Sequence, residues 1–287
     1  MLYNALAPLI GDFPVLNLFR YLTFRTGGAV MTALIISFVM GPRVINWLKS
    51  RQGSASNIRE DVPDTHLKKA GTPTMGGFLI LLSITVSTVL WADVTNAYVW
   101  IVLIVTIGFG AVGFADDYMK LSRKNSKGLP GRLKLLFQLI ISVGAAIWVL
   151  QLTQPPLNDA LVVPFFKSVI INLGWVFVPF AAFVMIGSSN AVNLTDGLDG
   201  LAIVPVMIAA GCFGFIAYLV GSSVYSNYLQ LHYVPGTGEL AVFAGAMVGA
   251  SLGFLWFNAP PAMVFMGDTG SLSVGGALGA LSVVTQH

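Results

Sequence analysis

The stretch VTNAYVWIVLIVTIGFGAVGFADDYMK, residues 94–120, runs for 22 residues without a charge and then presents two adjacent aspartates. A hydrocarbon core about 30 Å thick takes roughly 20 apolar residues of helix to cross, so residues 94–115 make one span and Asp116 and Asp117 fall at its end. Seven further charge-free intervals follow the same pattern: 26–42, 70–92, 135–158, 168–195, 200–238, 240–267 and 269–287. The interval 200–238 is too long for a single span, but its second half, SSVYSNYLQLHYVPGTG, is polar and turn-rich, so it reads as one helix plus a loop.

Composition agrees. Of the 287 residues, 56% are apolar and 9% are charged, which excludes a soluble domain, a disordered chain and a secreted disulfide scaffold. The single Cys212 has no internal partner. Lipid-exposed backbone must satisfy its own hydrogen bonds, and the spans lack the strict alternation of barrel strands. The expectation is an all-α, polytopic membrane helix bundle of eight spans forming one integral membrane domain over residues 1–287.

Basic residues give the orientation. Of the 15 Lys and Arg, 12 fall in two connections: Arg43, Lys49, Arg51, Arg59, Lys68 and Lys69, then Lys120, Arg123, Lys124, Lys127, Arg132 and Lys134. The positive-inside rule places both in the cytoplasm and the N-terminus outside. The net charge of +3 is then a topological signal and not a nucleic-acid footprint. No cleavable signal peptide is evident, because Asp12, Pro14 and Arg20 interrupt residues 1–24.

Alternation of spans gathers Asp116, Asp117, Asn190, Asn193, Asp196, Asp199, Asn258 and Asp268 at the cytoplasmic end and leaves little beyond Asp93, Asp159, Lys167 and Glu239 outside. Asp116 and Asp117 lie at a helix C-terminus, where the macrodipole disfavours anions by about 0.3–1 kcal/mol each. A divalent cation or nearby lysines would reverse that sign, and side chains about 100° apart on the helix should serve different partners. The plain alternative is two acids facing water at a helix end.

Asp268, in VFMGDTGSL, sits where the last span needs an N-cap, and capping is the plain reading. Free amides there, with Gly267 and Gly270, would equally admit phosphate oxygens or a metal-bound phosphate. In GSSNAVNLTDGLDGLA, Asn190, Asn193 and Asp196 recur at helical spacing, a polar stripe costly to leave unpaired at a membrane edge; the alternative is a hydrated turn with Asp199 capping the next span. In HLKKAGTPTMGGF, Lys68 and Lys69 precede a Gly-Thr-Pro-Thr turn and Gly76-Gly77, which suggests an anion-holding element without the GxxxxGK order of a P-loop. No His, Cys or carboxylate spacing resembles a zinc site. Phe19, Trp91, Trp100 and Trp256 read as interfacial anchors.

The ordered motifs KKAGTPTMGG, FADDYMK, NAVNLTDGLDGLA and WFNAPPAMVFMGDTGSL together resemble the phospho-N-acetylmuramoyl-pentapeptide transferase family, within the polyprenyl-phosphate sugar-1-phosphate transferases, over essentially the whole chain. The resemblance implies transfer of phospho-N-acetylmuramoyl-pentapeptide from its UDP carrier to undecaprenyl phosphate, giving lipid I and UMP in peptidoglycan biosynthesis. It implies Mg²⁺, a bacterial inner-membrane location and a cytoplasmic active site. It makes Asp116, Asp117 and Asp268 catalytic, with Asp268 holding Mg²⁺, and places Lys69, Thr74, Asn190, Asn193, Asp196 and Asn258 around the nucleotide and pyrophosphate, with Lys120 and Lys134 as further contacts.

The family carries a histidine-rich motif and about two more spans, so the chain reads as C-terminally truncated from a ten-span protein. Direct attack, with Asp116 or Asp117 orienting or deprotonating the lipid phosphate, stands against an aspartyl nucleophile and a covalent intermediate. A sister transferase using UDP-N-acetylglucosamine and, more remotely, a multispan transporter are the alternative functions. The oligomeric state, a homodimer included, stays open.

Overall fold

A computed structural model describes residues 1–11, 13–52, 72–123, 128–162 and 169–286. Eight long helices among the described residues are labelled in chain order: α1 Leu22–Gln52, α2 Gly77–Trp91, α3 Ala97–Ser122, α4 Gly131–Leu152, α5 Phe177–Thr195, α6 Ile203–Val220, α7 Leu240–Asn258 and α8 Gly267–Thr285. One stands in each charge-free interval. Six of them, α1 and α3 to α7, are long and apolar enough to cross a membrane by length and composition. The other two differ for physical reasons. Helix α2 has only 15 residues, about 22 Å of rise. Helix α8 is rich in Gly, Ser and Thr, and it is buried along nearly its whole length, so it needs no apolar surface.

Several helices outrun their intervals. Helix α1 continues past Arg43, Lys49 and Arg51, and α3 carries Asp116 and Asp117 inside it, because charge ends an apolar run without breaking a helix. The loop after α6 contains a short helix, Ser223–Leu229, and the all-α expectation misses a two-stranded hairpin outside the helices, β1 Ala160–Val162 against β2 Ile170–Asn172, with Leu161 opposite Ile171.

Helices α7 and α8 form the centre. Helix α7 packs on α1 and α6, and α8 on α3 and α5. Helices meeting in lipid gain no hydrophobic term from their contact, so close approach by small residues decides the packing. A Cβ on Gly249 of α7 would stand 2.1 Å from the Val30 carbonyl oxygen of α1, and one on Gly275 of α8 would stand 2.7 Å from Cα of Ser189 on α5.

The helix ends alternate as expected. At one end, here the site end, lie the C-termini of α1, α3, α5 and α7 and the N-termini of α2, α4, α6 and α8, tied by Gln52 to Thr74 and by Gly76 N to Phe265 O at 2.8 Å. At the opposite end, Arg25 of α1 and Glu239 before α7 make a bidentate pair with both bonds at 2.6 Å, although the two residues are 214 apart in sequence. Of the aromatic anchors, Trp100 and Trp256 are exposed. Trp91 instead stacks on Phe19 and donates from Nε1 to Thr32 Oγ1 at 2.8 Å.

Candidate active site

The site is built where the last turn of α3 meets the first turn of α8. Gly113 makes the approach: a Cβ there would fall 2.1 Å from the Asp268 carbonyl oxygen. One turn later, on the same face of α3, Asp117 receives the first amides of α8. Its Oδ1 accepts from Asp268 N at 3.2 Å, and its Oδ2 accepts from Thr269 N at 2.9 Å and Thr269 Oγ1 at 2.7 Å. A carboxylate from one helix thus caps another, and the positive end of α8 offsets the negative end of α3.

Asp268 is therefore not the cap. The N-cap position is Met266, without a side-chain cap bond, and Asp268 follows inside the first turn. The amides expected to be open to phosphate are the ones Asp117 holds. Freed from capping, the Asp268 side chain turns toward α4 and α5. Its Oδ2 accepts from Lys134 Nζ at 2.6 Å and Lys120 Nζ at 3.2 Å, and its Oδ1 accepts from Asn193 Nδ2 at 2.9 Å.

Asp116, a step further round α3, serves different partners, as its position predicts. Its Oδ2 lies 2.5 Å from Lys120 Nζ and 3.9 Å from Lys134 Nζ, and its Oδ1 accepts from Leu129 N at 2.8 Å. Both aspartates of α3 are buried. Asp116, Asp117 and Asp268 each bring one carboxylate oxygen within 4.8 Å of the other two. Three carboxylates face two ammonium groups, which leaves an excess of one negative charge among hard oxygen donors. That donor set suits Mg²⁺, an ion held by a few carboxylates and otherwise by water or phosphate.

Gly267 joins this cluster to the turn before α2. Its φ is +71°, in the left-handed region, and a Cβ would meet Asp117 Oδ2 at 2.7 Å and Thr74 Oγ1 at 2.9 Å, so only glycine fits. Thr74 itself is paired through its backbone with the Gln52 amide, at 3.0 and 2.9 Å. The expected anion cradle of the Gly76 and Gly77 amides does not form, since both donate to the Phe265 and Met266 carbonyls. Gly270 likewise serves packing, against Met266 and Gly77. Lys69, with Lys68 and His66, lies outside the described residues.

Beside the cluster opens a cavity of about 270 Å³ lined by Asn193, Asp196, Asp199, Asn258, Phe265 and Asp268, among others. Asp196 ends α5 at the cavity wall. Burial, reinforced by the negative charges of Asp268, Asp117 and Asp199, pushes its carboxyl up to about 6. Asp199 does not cap α6, whose N-cap is Ala202; it accepts instead from Ala262 N at 3.4 Å. Asn258 is buried and acts as a strut, accepting from Gly200 N at 3.0 Å and donating to Val264 O at 3.0 Å, which ties the α5–α6 loop to the α7–α8 loop. Asn190 turns from the carboxylates and donates to Gln138 Oε1 at 3.1 Å and Ile186 O at 2.8 Å.

Sequence reasoning missed Thr269 and Ser271. Ser271 accepts from Asn193 at 2.7 Å and so helps aim it at Asp268. Their signal was available, because Thr269 and Ser271 flank Gly270 in the first turn of a helix that starts beside an acid.

Residues 99–286 match the family model described as Glycosyl transferase family 4, and residues 69–81 match the one described as Phospho-N-acetylmuramoyl-pentapeptide-transferase signature 1. A phospho-N-acetylmuramoyl-pentapeptide-transferase of Granulibacter bethesdensis is 60% identical over 288 aligned positions, which cover all of this chain and 80% of the relative.

Proposed function

This chain belongs to the phospho-N-acetylmuramoyl-pentapeptide-transferase family, and on that premise we propose that it transfers phospho-N-acetylmuramoyl-pentapeptide from its UDP carrier to undecaprenyl phosphate, releasing UMP and forming lipid I. The observation that carries the site is the meeting of Asp116, Asp117 and Asp268 with Lys120 and Lys134 beside a cavity. The match at residues 69–81 favours this branch over a sister transferase for UDP-N-acetylglucosamine, and the place of the carboxylate cluster at one end of the bundle argues against a transporter, whose site lies near the midplane.

The reaction brings two phosphate anions together, so the catalyst must position them and offset charge more than supply covalent chemistry. An oxygen of the lipid phosphate bonds to the sugar-linked phosphorus, and the bond from that phosphorus to the bridging oxygen breaks, with UMP taking the electron pair. Asp268 and Asp116 would hold Mg²⁺, which when bound draws charge from the pyrophosphate oxygens. Lys134 and Lys120 are placed to move from the carboxylates to phosphate oxygens, while Asn193 keeps Asp268 aimed. Asp117 is committed on both oxygens to the start of α8, which fits a positioning acid better than a nucleophile. A phosphate's second pKa near 6 makes a strong base unnecessary. We therefore favour direct attack.

The basic residues of the site end, Lys49, Arg51, Lys120, Arg123, Arg132 and Lys134, support an inner-membrane enzyme with this end in the cytoplasm. The test is UMP release by the full-length protein in liposomes, with each UDP-sugar in turn and with Mg²⁺ or a chelator. Release from UDP-N-acetylmuramoyl-pentapeptide alone, dependent on undecaprenyl phosphate and on Mg²⁺, is expected. Release from UDP-N-acetylglucosamine, or labelled UMP exchange without any lipid, would overturn the substrate or the direct route respectively.

A further inference from the structure

Gln138 is wholly buried on α4, one turn beyond Lys134. An amide in that place must find partners, and it finds two on α5: its Oε1 accepts from Asn190 Nδ2 at 3.1 Å and its Nε2 donates to Ser189 Oγ at 3.3 Å. The Ser189 hydroxyl passes the chain on to α8, donating to Leu272 O at 2.9 Å.

Each member sits one helical turn from a group of the site. Gln138 follows Lys134 by four residues, Asn190 precedes Asn193 by three, and Leu272 follows Asp268 by four. The layer of Lys134, Asn193 and Asp268 therefore rests on a second layer of Gln138, Asn190 with Ser189, and Leu272.

Small residues let α5 and α8 lie close but do not fix how far one helix slides along another. Axial slip by one residue is about 1.5 Å, enough to lengthen and misalign the 2.6 Å contact between Lys134 and Asp268. A side chain that both donates and accepts, to adjacent residues of one neighbour, resists such slip in either direction. We infer that Gln138 is a positioning residue of this enzyme: by fixing the register of α4 against α5 and α8 it delivers Lys134 to Asp268. The inference rests on the transferase reading above.

The test is a double-mutant cycle on UMP release by the full-length protein in liposomes. Gln138→Leu alone is expected to lower kcat at least about ten-fold and to change the KM for the UDP-sugar less than two-fold. In a Lys134→Met background the same change is expected to cost less than two-fold, because the lysine it acts through is already gone. Equal losses in both backgrounds overturn the inference. Ser189→Ala, which removes the acceptor of Gln138 Nε2 and the link to α8 but leaves the bond from Asn190, is expected to give the same pattern at smaller size, and it decides the matter if Gln138→Leu does not fold.

A second arm needs no catalysis and so separates this inference from the reaction itself. With Lys134→Cys and Asp268→Cys in a Cys212→Ser chain, adding Gln138→Leu is expected to slow cross-linking by a short bifunctional thiol reagent several-fold. An unchanged rate overturns the inference even if the enzyme's reaction is as proposed.

Discussion

The two ends of the bundle each bury a polar cluster, and they balance charge differently. At the opposite end Arg25 and Glu239 answer each other one for one through two bonds at 2.6 Å, the Arg25 guanidinium stacks 4.4 Å over the Tyr3 ring, and Asp93 is held by Asn4 and Thr95. At the site end three carboxylates share two ammonium groups next to a cavity. Burial is common to both ends and so does not mark chemistry. The excess of one kind of charge does, because a cluster short of a cation is stabilised by whatever cation enters it.

The largest expected effect breaks the site end directly. Asp268→Asn should lower UMP release by about a thousand-fold, on the order of 4 kcal/mol of transition-state stabilisation. Mg²⁺ should raise the melting temperature of the unmutated protein by binding the folded state, and the substitution should abolish that rise. A Mg²⁺ shift that survives the substitution would place the ion elsewhere.

The opposite end should answer in stability alone. Glu239→Gln leaves the buried Arg25 without its counter-charge, which costs about 3 kcal/mol by the measured behaviour of broken buried pairs. The expected readout is a lower melting temperature with UMP release per folded molecule within two-fold. If the rate collapses while folding is intact, the two ends are coupled and the contrast between them fails.

Lys134→Met sharpens the contrast from the other side. It removes one of the two cations facing Asp268, so kcat should fall about a hundred-fold. The same change leaves three carboxylates facing one ammonium, and the melting-temperature rise on adding Mg²⁺ should then be larger than in the unmutated protein. A smaller rise would mean that Lys134 and the ion cooperate instead of competing.

How much of this was legible in the sequence depends on how far each feature reaches along the chain. The helices were legible because a charge-free run is a local property, and alternation alone brought Asp116, Asp117 and Asp268 to one end. What side chains do once there was not legible. Asp268 looked like a cap because it precedes a span, yet the cap is Asp117, 151 residues earlier in sequence. The bonds that Asn258 and Asn190 make to a loop and to a neighbouring helix were not legible either. Gln138 sat unmarked in an apolar run, because its partners lie on α5. Arg25 and Glu239 likewise only mark span boundaries until the fold joins them.

The smallest expected effect sets one acid from each end against the other in pH. Asp196 is raised from 3.8 to about 6 by burial and by the charges of Asp268, Asp117 and Asp199. Between those values the folded state binds the extra proton, so its stability falls as pH rises from about 4 to 6 and stays reduced above. At the opposite end burial also disfavours the charged form of Asp93, but hydrogen bonds from Thr95 and Asn4 and the charge of Arg25 outweigh it and hold the carboxyl below 3.8. Its contribution is present above that value and is lost as pH falls through the lowered one. In chelator, Asp196→Asn should therefore raise stability at pH 7.5 by about 1 kcal/mol, less than the shift implies because water reaches the cavity, and should flatten the slope of melting temperature between pH 4 and 6. Asp93→Asn should bring no gain at pH 7.5, leave UMP release within two-fold and leave that slope in place. The opposite signs follow from the charge each acid faces, negative neighbours around Asp196 and donors around Asp93, so a gain from both substitutions would show that the two ends do not differ in charge balance after all.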